Sequence, residues 1–172
     1  KVRPIAFLYL GRLFMKLRLL ALTLLLSSTT TAVLAADVSC PELRNVIQAG
    51  ACPTEEDLLF TFNGYCSADS RAYGTGAEVC TDYRLYRKLK NIVLWESGDG
   101  AFQAYISCDI PGESFKARPP SGITVSKQGK MTRLSCSYGD GVAFTLRTRE
   151  ECRVENAEAC KTDAAACKAS CQ

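Results

Sequence analysis

The sequence predicts a mainly β, α+β fold: a small antiparallel sheet or sandwich of about five to seven strands, with a short N-terminal helix and a Cys-stapled C-terminal helix. Three observations carry that expectation. From residue 92 to residue 148, apolar and polar residues alternate in short runs separated by Gly- and Asp-containing turns. Ten cysteines occur with no histidine. The N-terminal stretch has the order of an export leader, which fixes how those cysteines are read.

From Met15, a cationic start (Lys16, Arg18) precedes the apolar run Leu19 to Leu26, a polar patch Ser27 to Thr31, and Ala-Val-Leu-Ala-Ala. That run is too short to span a bilayer, and small residues stand where a leader is cut. Residues 15–35 therefore read as a signal peptide cut after Ala35, with Ala36 the next choice. Residues 1–14 precede Met15 and read as over-extended translation. Arg12, Lys16 and Arg18 interrupt the apolar pattern, which argues against a membrane anchor, so no membrane span is expected after cleavage.

Removing residues 1–35 also changes the charge. Of 21 Lys and Arg, five (Lys1, Arg3, Arg12, Lys16, Arg18) lie there with no acidic residue, leaving 16 basic against 18 acidic side chains. A mature chain without a basic surplus argues against nucleic-acid binding. Without histidine there is no Ser-His or Cys-His pair and no His-ligated metal.

In the chain from residue 36, Ser39-Cys-Pro-Glu42 has the form of a capping box. It predicts a helix over about 40–49, with Leu43 and Ile47 on one face and Gly50 ending it. Cys52 to Asp57 reads as a polar turn, Leu58 to Phe62 as a strand ended by Asn63-Gly64, and 67–78 as a loop. Ile92 to Glu96 and Ala101 to Cys108 then flank an Asp-Gly turn, with Phe102, Ala104, Ile106 and Cys108 on one face. The prolines of 109–122 make that stretch a long connection. Ile123 to Ser126, Met131 to Tyr138 and Val142 to Thr148 form a three-stranded meander. There Leu134, Cys136 and Tyr138 oppose Arg133, Ser135 and Ser137, while Val142, Phe144 and Leu146 alternate with Ala143, Thr145 and Arg147. These elements bound a disulfide-stabilised β-rich domain over 36–148. In 149–172, Thr148-x-x-Glu151 followed by Glu, Ala, Lys and Cys predicts a helix carrying Cys160, Cys167 and Cys171 in one stripe.

In an oxidising compartment, Cys40, Cys52, Cys66, Cys80, Cys108, Cys136, Cys152, Cys160, Cys167 and Cys171 are most simply five disulfides of unreadable connectivity. The tail stripe has a second reading, as a thiolate set for Cu(I) or Zn(II), although no Cys-x-x-Cys pair accompanies it. The segment Tyr83-Arg-Leu-Tyr-Arg-Lys-Leu-Lys90 makes Tyr83, Arg84, Tyr86, Arg87, Lys88 and Lys90 candidates for binding an acidic partner, with Leu85 and Leu89 as the buried side. Trp95 is a candidate sugar platform or a core residue. Glu96, Asp99, Asp109, Glu113 and Asp140, at or beside turns, are candidate carboxylates for glycan hydrolysis, against the commoner role of shaping those turns. No nucleophile or phosphate-loop motif occurs, so no cofactor is implied.

Cys40-Pro41 and Cys52-Pro53 near the expected mature start, Leu94-Trp95, Leu134-x-Cys136-x-Tyr138 and Phe144-x-Leu146 together resemble small secreted or periplasmic cysteine-containing proteins of gammaproteobacteria. Their families are of uncharacterised function, so the resemblance implies no catalytic residues. The reading that emerges is an exported, disulfide-rich, non-enzymatic binding protein of the bacterial periplasm or extracellular space. It is expected to be monomeric and to bind another protein or an envelope or host-surface component, as an inhibitor, immunity-type or virulence-associated factor. The alternatives are a glycan hydrolase using turn carboxylates and a thiol or metal handler acting through the tail.

Overall fold

Alternating burial along the middle of the chain builds a six-stranded antiparallel sheet, as the computed structural model shows for residues 36–172. The expected leader at 15–35 and the extension at 1–14 lie outside the described residues. The strands are β1 (Ala36–Ser39), β2 (Ile47–Gln48), β3 (Ile92–Glu96), β4 (Gln103–Ser107), β5 (Gly122–Gln128), β6 (Met131–Ser137), β7 (Ala143–Thr148), β8 (Cys152–Val154) and β9 (Lys168–Cys171). The large sheet runs β2-β3-β4-β7-β6-β5, and a second antiparallel sheet runs β1-β9-β8. The fold is mainly β, as the sequence predicts.

One face of the large sheet is the core. Val93, Trp95, Ala104, Ile106, Ile123, Leu134, Cys136 and Phe144 point inward along their strands. Leu43, Val46, Phe102, Phe115, Tyr138 and Val142 fill in around them, and the tail contributes Cys160, Cys167 and Ala169. The faces expected for the 101–108, 131–138 and 142–148 strands are the faces observed. The 109–122 connection is irregular apart from a 3-10 turn at Gly112–Ser114, and it delivers Phe115, fully buried, against Trp95.

The ends of the chain differ from expectation. Instead of a helix over 40–49 there is a 3-10 turn at Leu43–Asn45 between β1 and β2. Ser39 pairs with Lys168 of β9, and the Cys40 amide donates to the Cys167 carbonyl, so this backbone is committed to a sheet before any helix can start. Leu43 and Val46 are buried, while Ile47, expected on the buried side, is 58% exposed. The expected C-terminal helix is replaced by β8, 3-10 turns at Ala159–Lys161 and Ala164–Ala166, and β9. Helix propensity is a weak preference beside a covalent constraint. Cys152 bonds its direct cross-strand neighbour Cys171, and Cys160 bonds Cys167 across a short loop. The Asp163 side chain then accepts from the Ala165 amide and closes the second turn. The tail is stapled by cystines, as expected, but it is not helical.

Residues 58–62, expected as a strand, lie inside helix α1 (Glu55–Cys66). Thr54 and Asp57 cap it reciprocally: the Asp57 amide donates to Thr54 Oγ1, and the Thr54 amide donates to Asp57 Oδ2. Leu58, Phe62 and Tyr65 then line one helical side, whereas Phe60, which a strand would place beside them, is 79% exposed. The stretch expected as a loop at 67–78 contains α2 (Asp69–Ala72) and runs into α3 (Glu78–Thr81). Helix α4 (Tyr83–Lys90) follows, opened by the Asp82 carboxylate accepting from the Arg84 amide. Phe62 packs edge-on against Tyr83 and Tyr86, making a small aromatic cluster separate from the main core.

All ten cysteines are paired: Cys40–Cys136, Cys52–Cys108, Cys66–Cys80, Cys152–Cys171 and Cys160–Cys167. Cys40–Cys136 ties the N-terminal segment to the core of β6, Cys52–Cys108 ties the approach to α1 to the end of β4, and Cys66–Cys80 joins α1 to α3. Five disulfides mark a fold suited to an oxidising environment. Among the described residues, no helix is long and apolar enough to cross a membrane.

Candidate binding site

The outer face of the large sheet carries the side chains that alternate away from the core. Register arranges them in rows across the strands. One row runs Ser126, Arg133, Arg147; the next runs Thr124, Ser135, Thr145, Gln103, Glu96. Arg133 and Arg147 are thus direct cross-strand neighbours.

Between β4 and β7 the ladder nearly fails. These strands share one register pair, Gln103 with Thr145, whereas β3–β4 and β6–β7 are paired along their lengths. Gly100 and Gly141, both at positive φ, turn the chain at the two ends of this seam. The result is an open groove of about 500 Å³ lined by Gly100, Ala101, Gln103, Tyr105, Arg133 and Arg147, with Gly141, Ala143 and Thr145 on its β7 side. Tyr105 is 70% exposed. Gln103 Nε2 donates to Glu96 Oε1, leaving its own carbonyl oxygen as an acceptor, and Thr145 Oγ1 donates to the Gln103 backbone carbonyl. Arg133 Nε is buried with no hydrogen-bond partner, and neither Arg133 nor Arg147 forms an ion pair among the described residues.

The cationic segment expected to bind an acidic partner is drawn into the fold instead. Arg87 bridges Glu55 and Asp109, and its two Nη atoms hold both Asp109 oxygens at 2.9 and 3.1 Å. Tyr83 donates to Glu55, and Arg84 pairs with Asp82. Tyr86 is buried in the aromatic cluster, and Lys88 and Lys90 remain exposed. Leu85 and Leu89, expected to be buried, are 41% and 48% exposed, because Tyr83, Tyr86 and Arg87 form the side of α4 facing α1 and Asp109. The Tyr83 hydrogen bond and the Arg87 guanidinium hold the Glu55 carboxyl below its ordinary value, and Arg87 does the same for Asp109. Desolvation and the Glu55 hydrogen bond push the Tyr83 hydroxyl up to about 12.

Trp95 is 6% exposed, edge-on to Phe115 with ring centroids 5.1 Å apart, and so sits in the core. The candidate carboxylates are dispersed and each has a local partner. Asp99 accepts from Ser97 and the Ala101 amide, Asp109 holds Arg87 and Asn91, Glu113 pairs with Lys116, and Asp140 pairs with Arg118. Glu96 borders the seam through Gln103, and Asp99 through the Ala101 amide. In the tail, Cys160 and Cys167 bond each other and Cys171 bonds Cys152, so the three sulfurs do not face one another as thiolates.

No protein-family model matches this chain, and no curated protein or solved structure is significantly similar to it. The outer-face groove is not among the sites the sequence predicts, although its signal is present there. The meander turn is centred on Asp140, and folding the sequence about that point sets Arg133 opposite Arg147.

Proposed function

We propose that this is an exported, disulfide-stapled binding protein of the periplasm or extracellular space, and that it engages an envelope, host-surface or protein partner through the outer face of its large sheet. A single observation carries this reading: a sheet covalently braced on one side presents on the other an uncovered polar seam with two unpaired arginines. Such a face is pre-organised, so a ligand orders little of the protein on binding. The five bridges support an oxidising compartment, and the leader-like order of residues 15–35 supports export to it. Binding, not catalysis, fits the scattered carboxylates, each engaged with its own neighbour.

The test is expression of the whole chain with export to a bacterial periplasm. Intact mass should show a polypeptide starting at Ala36 with no thiol open to alkylation. That material should be retained by isolated envelopes or by host-cell surfaces. Recovery of reduced, uncut chain from the cytoplasm would overturn export. Glycan turnover abolished by Glu96→Gln, Asp99→Asn or Asp109→Asn would overturn the non-enzymatic reading.

A further inference from the structure

We infer that the seam between β4 and β7 binds an acidic saccharide, its anionic group held between Arg133 and Arg147 and a sugar ring lying against Tyr105. The inference rests on the binding reading above and names the ligand class.

The first support is electrostatic. Like charges directly opposed on a sheet destabilise it, and register offers no escape here. Leu134 opposite Leu146 and Cys136 opposite Phe144 bury the other face, so a slip by one residue would turn the core outward. The acidic side chains beside the seam are already engaged, Glu96 with Gln103 and Asp99 with Ser97 and the Ala101 amide, and the β5–β7 side is mostly of one sign. Residues 122–149 carry Lys127, Lys130, Arg133, Arg147 and Arg149 against Asp140 alone. Asp140 is engaged by Arg118, and Lys127 is engaged by Glu151. The two seam arginines therefore remain for a group from outside, and the surrounding field attracts anions.

The second support is the orphaned Arg133 Nε. Its Nε–H lies below the accessible surface without an acceptor, which is costly; an oxyanion that draws the guanidinium outward would let Nε and Nη bind it side-on and would neutralise the repulsion between the arginines.

The third support selects a saccharide over an acidic peptide. The remaining lining offers hydroxyl-sized hydrogen-bonding partners, the Gln103 carbonyl oxygen and the Thr145 hydroxyl, beside an exposed tyrosine ring. Gly100, Ala101, Gly141 and Ala143 add no bulky side chain to the lining. A sugar presents a face to a ring and hydroxyls to amide and hydroxyl groups.

The experiment is a 15N-HSQC and calorimetric titration of the oxidised 36–172 chain. The probes are oligogalacturonate (carboxylate), heparin-derived oligosaccharide (sulfate), a mannose-6-phosphate oligosaccharide (phosphate), neutral maltooligosaccharide and oligoglutamate. At least one acidic saccharide should bind and shift the Gln103, Tyr105 and Thr145 amides, and which one binds identifies the anion. Maltooligosaccharide should not bind. Arg133→Gln and Arg147→Gln should each weaken binding by about 10- to 100-fold, the loss of a charge-assisted pair. Arg133→Lys should also weaken it, because charge without the fork does not restore the geometry. The Gln variants should keep or raise the thermal midpoint, which shows that the arginines are not there for folding. Binding of no acidic saccharide, binding that survives the double Gln variant, or oligoglutamate binding as tightly as the best sugar would each overturn the inference. Envelope retention separates the two levels. Wild-type and double Gln protein retained equally would refute this site and leave the binding reading standing; neither being retained would refute both.

Discussion

Replacing Cys40 and Cys136 together by alanine should destabilise the protein more than the same treatment of Cys160 and Cys167, and loop length sets the difference. Cys40 and Cys136 are 96 residues apart, but the closed loop is shorter, because Cys52–Cys108 short-circuits it. The covalent path from 40 to 52, across that bridge and from 108 to 136, spans about 40 residues, for which loop-closure entropy gives about 4 kcal/mol. For Cys160–Cys167, with a separation of 7, the same relation gives about 2.4 kcal/mol. Packing works slightly against the difference, since Cys136, Cys160 and Cys167 are all 1% exposed or less while Cys40 is half-buried and loses less on truncation. Guanidinium unfolding of the two double variants, followed by circular dichroism with a shared slope, should place the Cys40/Cys136 variant about 1.5 kcal/mol lower. Equal losses, or a larger loss from the short bridge, would refute the entropic account and point to strain or residual structure in the unfolded chain.

Two further outcomes are expected. Because Glu55 and Asp109 titrate below their ordinary 4.5 and 3.8, their contribution is present above those values and is lost as pH falls through the lowered ones. Acid should therefore loosen the α1–α4 region below about pH 4, and Arg87→Met should remove that pH dependence in a near-ultraviolet tyrosine titration; an unchanged profile would count against the network. Gly112→Ala would set a Cβ 2.9 Å from Trp95 Cη2, so the lone tryptophan should shift its emission and the fold lose about 1–3 kcal/mol. Unaltered fluorescence would show that the 3-10 turn yields instead.

The sheet was legible because its signals are local. Asp-Gly and Gly-Asp-Gly turns separate strands whose alternation survives intact, so Phe102, Ala104, Leu134 and Phe144 could be assigned to the core from spacing alone. The misread elements are those decided at long range or by competing local codes. Ser39 could cap a helix or extend a strand, and its partner Lys168 lies at the far end of the chain. The tail has helical propensity throughout, and only the pairing of Cys152 with Cys171 and of Cys160 with Cys167 bends it into strands and turns. Leu58 to Phe62 suits either a strand or a helix by composition; the deciding signal was Thr54-x-x-Asp57, a capping box one residue beyond a proline. The binding face divides the same way. The α4 cations were conspicuous in sequence, yet Arg87 is engaged by Glu55 and Asp109, neighbours 32 and 22 residues away. Arg133 and Arg147 are inconspicuous until strand register brings them together.

β2 and β3 are paired neighbours, with Gln48 opposite Trp95, yet α1 to α4 are all threaded between them. The chain leaves the sheet and returns to nearly the same place, so this helical excursion can open without moving a single strand register. It has an aromatic nucleus of its own in Phe62, Tyr83 and Tyr86, an internal staple in Cys66–Cys80, and moorings at Cys52–Cys108 and Arg87–Asp109. That is the layout of a separate cooperative unit, or foldon, and native-state hydrogen exchange should open its amides before those of the sheet. Insertions and exchanges in that excursion would be absorbed there, leaving the arginine seam undisturbed.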